Sequence, residues 1–265
     1  MTHSSTSKMF NSNLPWQLDH NRYVVLGVPR SGTQLTEAFI KYSLSKKYDD
    51  VVSLQEIFTM QACMVNTIKL EDGKLRIYNE SNVKFPDVPN VARERLNIIA
   101  DVSTEQSLTC RVFLDDRMAS KSFVEGINYL QDLNFKFVYV ERNFEHKIIS
   151  AMFAKKSFIF STYRNEMKLH IDIDELKSFI MARYMIEQQH KKIIDRLIEY
   201  DTINYDTLAK KADQLDEYER HLAFGIYRVK QLALDPYEQI VNAKEVKKVF
   251  AEFYPKLVEL ASQLL

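Results

Sequence analysis

Five short apolar runs, separated by stretches with helical periodicity, constrain the fold of this chain more than any other feature. The runs fall at residues 23–26, 51–54, 108–114, 136–140 and 202–204, and the helical patterns between them at 33–47, 90–102, 119–132 and 145–156. Strands that alternate with helices are joined by crossovers, and crossovers set neighbouring strands parallel. The expected fold is therefore α/β: a three-layer domain with a central parallel sheet of about five strands. Beyond residue 172 the pattern turns mostly helical, at 174–200, 207–233 and 244–265, which gives a helical C-terminal half expected to close one side of the site.

One insertion interrupts the series. Ile68-Lys69-Leu70 and Leu75-Arg76-Ile77 alternate around Glu71-Asp72-Gly73-Lys74, and Asp-Gly between alternating residues is a hairpin signature. A hairpin over about 66–79 reads either as a substrate-side flap or as a surface ornament.

The chain is 46% hydrophobic and 27% charged over 265 residues, enough for one domain with a substantial core. Lys and Arg number 36, as do Asp and Glu, so no overall field draws the protein to nucleic acid or an anionic membrane. Any cationic site must be local. The first twenty residues are polar, and no run of about 18 apolar residues occurs, so neither a signal peptide nor a transmembrane segment is expected. The two cysteines, Cys63 and Cys110, read as buried thiols of a cytoplasmic protein. Residues 1–20 are expected to form a flexible tail, with a single domain over 21–265. The sequence leaves oligomeric state open.

Only five glycines occur in the chain, and two of them flank the turn in YVVLGVPRSGTQLTEAF, at Gly27 and Gly32. The segment runs from strand to helix, the context of a phosphate-binding loop. Backbone N–H groups at a helix start attract anions, and glycine lets the backbone approach closely. Arg30 adds charge, and the Ser31 and Thr33 hydroxyls add donors. The spacing Gly27-x4-Gly32-Thr33 is P-loop-like, yet Thr33 directly follows Gly32 where an ATP-binding P-loop carries its lysine.

The segment PRSGTQL resembles the Pro-Arg-Ser-Gly-Thr-Thr-Leu loop of sulfotransferases that use 3′-phosphoadenosine 5′-phosphosulfate (PAPS), the tyrosylprotein and bacterial branches above all. In that family the loop holds the 5′-phosphosulfate, which implies binding by Pro29, Arg30, Ser31, Gly32, Thr33 and Gln34, with Gln34 in place of the usual second Thr. KFVYVERNFEHKIISAMFA is similar to the family's strand-then-helix segment, in which an Arg is followed eight residues later by a Ser. Arg142 and Ser150 keep that spacing, although Asn143-Phe144 stands where Asp-Pro is usual. The resemblance implies that this pair holds the 3′-phosphate. Fainter likenesses lie at Ile203-Asn204-Tyr205-Asp206-Thr207-Leu208, similar to a structural Tyr-Glu-x-Leu element, and at Asp235-Pro236-Tyr237 through Asn242.

The implied reaction moves a sulfuryl group from PAPS to a hydroxyl or amine and releases 3′,5′-ADP (PAP). It needs a base for the acceptor's proton and a cation for the departing nucleotide, and no metal if side chains supply that charge. Arg30 is the first candidate cation and Arg111, near where the family often carries a Lys, the second. Glu56 is the leading base, since members of the family place a catalytic Glu at the end of the second strand with an aromatic two residues on, here Phe58. His146 is the other. The cytosolic enzymes' His after the third strand is replaced by Phe113-Leu114-Asp115-Asp116.

Two rival functions remain open from the sequence. RVFLDD reads as a strand ending in the Mg2+-positioning acid of an ATP-dependent P-loop phosphotransferase, with Asp115 and Asp116 as its residues. A catalytically silent nucleotide-binding or interaction protein of the same fold is the other. The acceptor class, whether carbohydrate, lipid, peptide or small phenol, is not legible, although the 14 Tyr and 16 Phe could supply an aromatic pocket beyond the core.

Overall fold

β1 (Arg22–Gly27) shows why the apolar runs become strands. All six of its residues, RYVVLG, are buried, and a continuous apolar run without polar alternation suits a strand covered on both faces. In the computed structural model, which describes residues 18–57, 66–79, 96–114, 121–157, 168–216 and 235–264, β1 is the middle strand of a five-stranded sheet. Across the sheet the order is β2 (Val51–Glu56), β5 (Ser107–Phe113), β1, β6 (Lys136–Glu141) and β7 (Asp201–Asn204), and every pairing is parallel. Each strand lies within a residue or two of the expected run. The chain goes outward from β1 to β2, returns to β5, then crosses to β6 and β7. The winding thus reverses at β1, and open α/β sheets bind ligands beyond the C-terminal strand ends at such a reversal.

Alternate residues of the strands feed two cores. Val24, Leu26, Cys110 and Val112 pack under α2 (Lys121–Asp132) through Phe123, Ile127 and Leu130. Tyr23, Val25, Val138 and Ile203 pack under α1 (Thr33–Leu44), through Leu35, Phe39 and Ile40, and under α5 (Tyr205–Asp213). Sheet and two helical layers give the three-layer domain. A third core joins α3 (Phe144–Ser157), α4 (Ile173–Leu197), α6 (Ala243–Glu252) and α7 (Tyr254–Leu264), with Ile149, Met152, Ile180, Val246 and Phe250 at its centre. Burial of each such side chain contributes about 1.5–3 kcal/mol before the entropy of ordering is counted. Asn242 pins this unit by pairing with both backbone groups of Ile171, at 3.0 and 2.8 Å.

Several expectations are corrected. The helix expected over 244–265 is broken into α6 and α7, because Pro255 lacks an N–H and its ring clashes with the carbonyl one turn back. The same proline is well placed in the first turn of the new helix. α1 stops at Leu44 rather than at 47, and α4 at Leu197 rather than at 200. Leu18 is buried and its carbonyl accepts from Lys47 Nζ at 2.6 Å. Residues 1–17, Phe58, Cys63, Asp115, Asp116 and most of the helix expected over 207–233 lie outside the described residues.

The hairpin is present as β3 (Asn66–Glu71) and β4 (Lys74–Asn79), antiparallel, with Asp72 and Gly73 both left-handed at φ 50° and 73°, as a two-residue type I′ turn requires. The backbone N–H and C=O of Leu75 pair with the Gln106 amide at 2.7 and 3.3 Å, and Ser103 N–H donates to the Gly73 carbonyl at 3.1 Å. Asp50 adds ion pairs to Lys74 and Arg76. The turn is therefore anchored at the N-terminal ends of β2 and β5, opposite the loop that follows β1.

Candidate functional site

The loop between β1 and α1 is a tight turn in which Ser31 N–H donates to the Val28 carbonyl at 3.1 Å. Arg30 (φ 75°) and Gly32 (φ 99°) both take the left-handed conformation. Close approach explains both glycines. A Cβ on Gly27 would lie 2.3 Å from Ser31 Oγ and 2.7 Å from Thr33 Cγ2. One on Gly32 would lie 2.0 Å from the Tyr205 ring. Ser31 and Thr33 are consequently buried, Pro29 is half-buried, and Gln34 faces outward on the first turn of α1.

The two segments that resemble the nucleotide signatures meet here. Arg30 donates through Nε and Nη2 to Ser150 Oγ of α3, at 3.1 and 2.9 Å, across 120 residues of chain. Arg142, at the end of β6, donates through Nη1 to the Arg30 carbonyl at 2.9 Å. Its guanidinium stands 4.4 Å over the Tyr205 ring, a cation–π contact, and the same ring backs Gly32. Ser31 Oγ and Arg142 Nε are buried without a hydrogen-bond partner, so the site holds two uncommitted donors among its described groups. Tyr205, read from sequence as part of a structural element, is the floor on which Arg142 and the loop rest.

Arg111 and Glu56 form a second group. Arg111 pairs with Val25 in the sheet, two residues before Gly27 and so about 7 Å back along the strand. Its Nε lies 2.9 Å from Glu37 Oε2 and its Nη2 lies 3.9 Å from Glu56 Oε1. The Nε–H is not aligned on the carboxylate, so charge rather than hydrogen-bond direction holds the closer contact. Arg111 thus stands in a buried ion pair under α1, whereas Arg30 is the cation of the loop itself.

Glu37 was not legible as a site residue. Its only sequence signal is position: it lies four residues after Thr33 and three before Ile40, on the buried stripe of α1, where an acid requires a partner.

His146 lies in the first turn of α3, against the residues that follow Arg142 and Tyr205. Its Nδ1 lies 3.5 Å from Asp206 Oδ1, its N–H is capped by Asn143 Oδ1 at 3.2 Å, and Asn143 N–H donates to Asp206 Oδ2 at 3.3 Å. Asn143 thus caps the helix.

A cavity of about 450 Å³ opens beside the end of β6, between α3 and the last two helices. Phe144 and Tyr254, stacked at 4.8 Å, line it together with Glu145 and Lys247. Burial pushes the Glu145 carboxyl above its ordinary value, against the opposing pull of His146 and Lys247. Among the described residues no group of three His, Cys, Asp or Glu is placed to hold a metal ion, and no helix is long and apolar enough to cross a membrane. No family model matches the chain, and no curated protein or solved structure does either.

Proposed function

We propose that this protein is a sulfotransferase that moves a sulfuryl group from PAPS to a hydroxyl or amine acceptor and releases 3′,5′-ADP. The observation that supports this most is the meeting of Arg30, Arg142 and Ser150, three residues singled out from two separate stretches of sequence. A Gly-Thr loop alone would suit many phosphates. The neighbouring Arg and Ser give a second cationic position, which suits a nucleotide phosphorylated at both 5′ and 3′ positions.

PAPS supplies the activated sulfur. The chain supplies the rest. The loop and the start of α1 receive the 5′-phosphosulfate, with the buried Ser31 hydroxyl as a donor. Arg142 and Ser150 receive the 3′-phosphate. The S–O bond to the nucleotide breaks as the acceptor–sulfur bond forms, and negative charge gathers on the bridging oxygen. Arg30 lies in the loop that surrounds that oxygen, and a positioned cation of this kind contributes on the order of 3 kcal/mol to the barrier. Glu56 takes the acceptor's proton; His146, held against Asp206, is the other base.

Calorimetric titration with 3′,5′-ADP, 5′-AMP, 5′-ADP and ATP–Mg2+ tests the reading without knowledge of the acceptor. 3′,5′-ADP is expected to bind about tenfold or more tightly than 5′-AMP, the effect of one charge-assisted contact. Preference for ATP–Mg2+ would replace the reading with a phosphotransferase, and binding of none of the four would leave an interaction protein with a nucleotide-type fold.

A further inference from the structure

Glu37 is the single acid in α1, and only 5% of its surface is exposed. A lone carboxylate at such a position is costly. Three groups from two strands converge on it: Ser53 Oγ of β2 at 2.6 Å, Thr109 Oγ1 of β5 at 3.0 Å and the Arg111 guanidinium of β5 at 2.9 Å. Nη2 of that guanidinium reaches Glu56 at 3.9 Å.

The backbone itself brings Glu56 to this face. Strict alternation along β2 would put Ser53 under α1 and Glu56 on the opposite side. Instead Gln55 takes φ 56° and the register against β5 shifts between Ser53 and Glu56, so that Glu56 stands opposite Arg111. A bulge that re-aims one side chain is a device found beside functional sites.

The two carboxylates do not hold Arg111 equally. The Glu37 contact is shorter and its side chain is 6% exposed, against 23% for Glu56, so water screens it less. We infer that Glu37 is a positioning residue: its charge holds the Nε side of the Arg111 guanidinium, and Nη2 beside it then fixes where the Glu56 carboxylate stands. Its bearing on catalysis rests on the reading of Glu56 as the base. The arrangement of charges does not.

The test compares the full-length protein with Glu37→Gln and Glu56→Gln by NMR of the arginine side chains and the glutamate carboxylates. In Glu37→Gln, solvent exchange of the Arg111 Nε–H is expected to speed up about tenfold or more, the loss of one buried charged contact. The Glu56 carboxylate signal moves in the same variant. In Glu56→Gln, Arg111 Nε–H exchange changes by less than about threefold, as for a partly exposed pair. Equal release of Arg111 by both variants, or no change in Glu37→Gln, would overturn the inference. Glu37→Asp, which keeps the charge but withdraws it by one methylene, carries the same comparison if the Gln variant fails to fold. 3′,5′-ADP affinity is measured on the same samples. Failure of the wild type to bind would remove the nucleotide reading and leave the Arg111 comparison to decide the inference.

Discussion

At the scale of single residues, Arg142 carries the most weight. One of its nitrogens holds the Arg30 carbonyl, its face lies on Tyr205, and its Nε is left without a hydrogen-bond partner. Arg142→Ala is expected to weaken 3′,5′-ADP binding tenfold or more, about 1.5–3 kcal/mol for a hydrogen bond to a charged group. Arg142→Lys should not restore it, because a point charge cannot hold a carbonyl and a phosphate in one plane. Unchanged calorimetric affinity in the alanine variant would remove the 3′-phosphate assignment. Gly32 carries a different burden. At φ 99°, with Tyr205 carbon 2.0 Å from any added Cβ, Gly32→Ala has both a strained backbone and a clash with a buried ring. It should lower stability by about 1–3 kcal/mol in urea unfolding. A loss below about 0.5 kcal/mol would show that the loop relaxes freely. Gly32 was readable from sequence, since a loop between strand and helix with two of five glycines demands a reason, whereas Arg142 was singled out only through a resemblance in its spacing to Ser150. The aromatic floor was not, because Tyr205 is distant in the chain and looks like any strand-end tyrosine.

At the scale of elements, the start of the fold is tied to the sheet by charge. Asp19 lies 3.2 Å from Lys136 of β6, which in turn lies 3.0 Å from Asp201 at the start of β7. The His20 ring beside Asp19, and Lys136 after it, hold the Asp19 carboxyl down at about 2, below its ordinary 3.8. A carboxyl depressed on folding contributes stability above its unfolded value, and that contribution is lost as pH falls through the folded one. Between about pH 4 and 2, wild-type stability should therefore fall more steeply than that of Asp19→Asn, with the two slopes equal above pH 5. Urea midpoints at stepped pH measure this, and parallel curves throughout would show that the contact is too exposed to matter. The strands were legible to within a residue or two because each is a short apolar run buried on both faces. The hairpin turn was legible because Asp-Gly supplies two left-handed positions. The helix ends were less so. Pro255 breaks the last helix in a way the Tyr-Pro pair announces, while the end of α4 depends on where β7 must enter the sheet.

At the scale of the whole molecule, Cys110 tests whether the sheet opens as a unit. It lies on β5 at the centre of the first core with no exposed surface, and burial pushes its thiol well above the ordinary value. In a Cys63→Ser background, Cys110 should react with a thiol reagent only at the rate of global unfolding, so its labelling and the loss of the sheet's circular dichroism should share one midpoint. Labelling well before that midpoint would mean that β5 opens locally. The sequence by itself determined the layered α/β architecture, the place of the glycine-flanked loop after β1 and the turn of the hairpin, because periodicity, glycine and proline act over a few residues and are written locally. Tertiary structure alone decided that Arg30 meets Ser150 and Arg142, that Tyr205 underlies them, and that Glu37 anchors Arg111 beside Glu56. Those contacts join residues far apart in the chain, Arg30 and Ser150 by 120 positions and Gly32 and Tyr205 by more, and depend on strand order and on a bulge at Gln55 that no local pattern specifies.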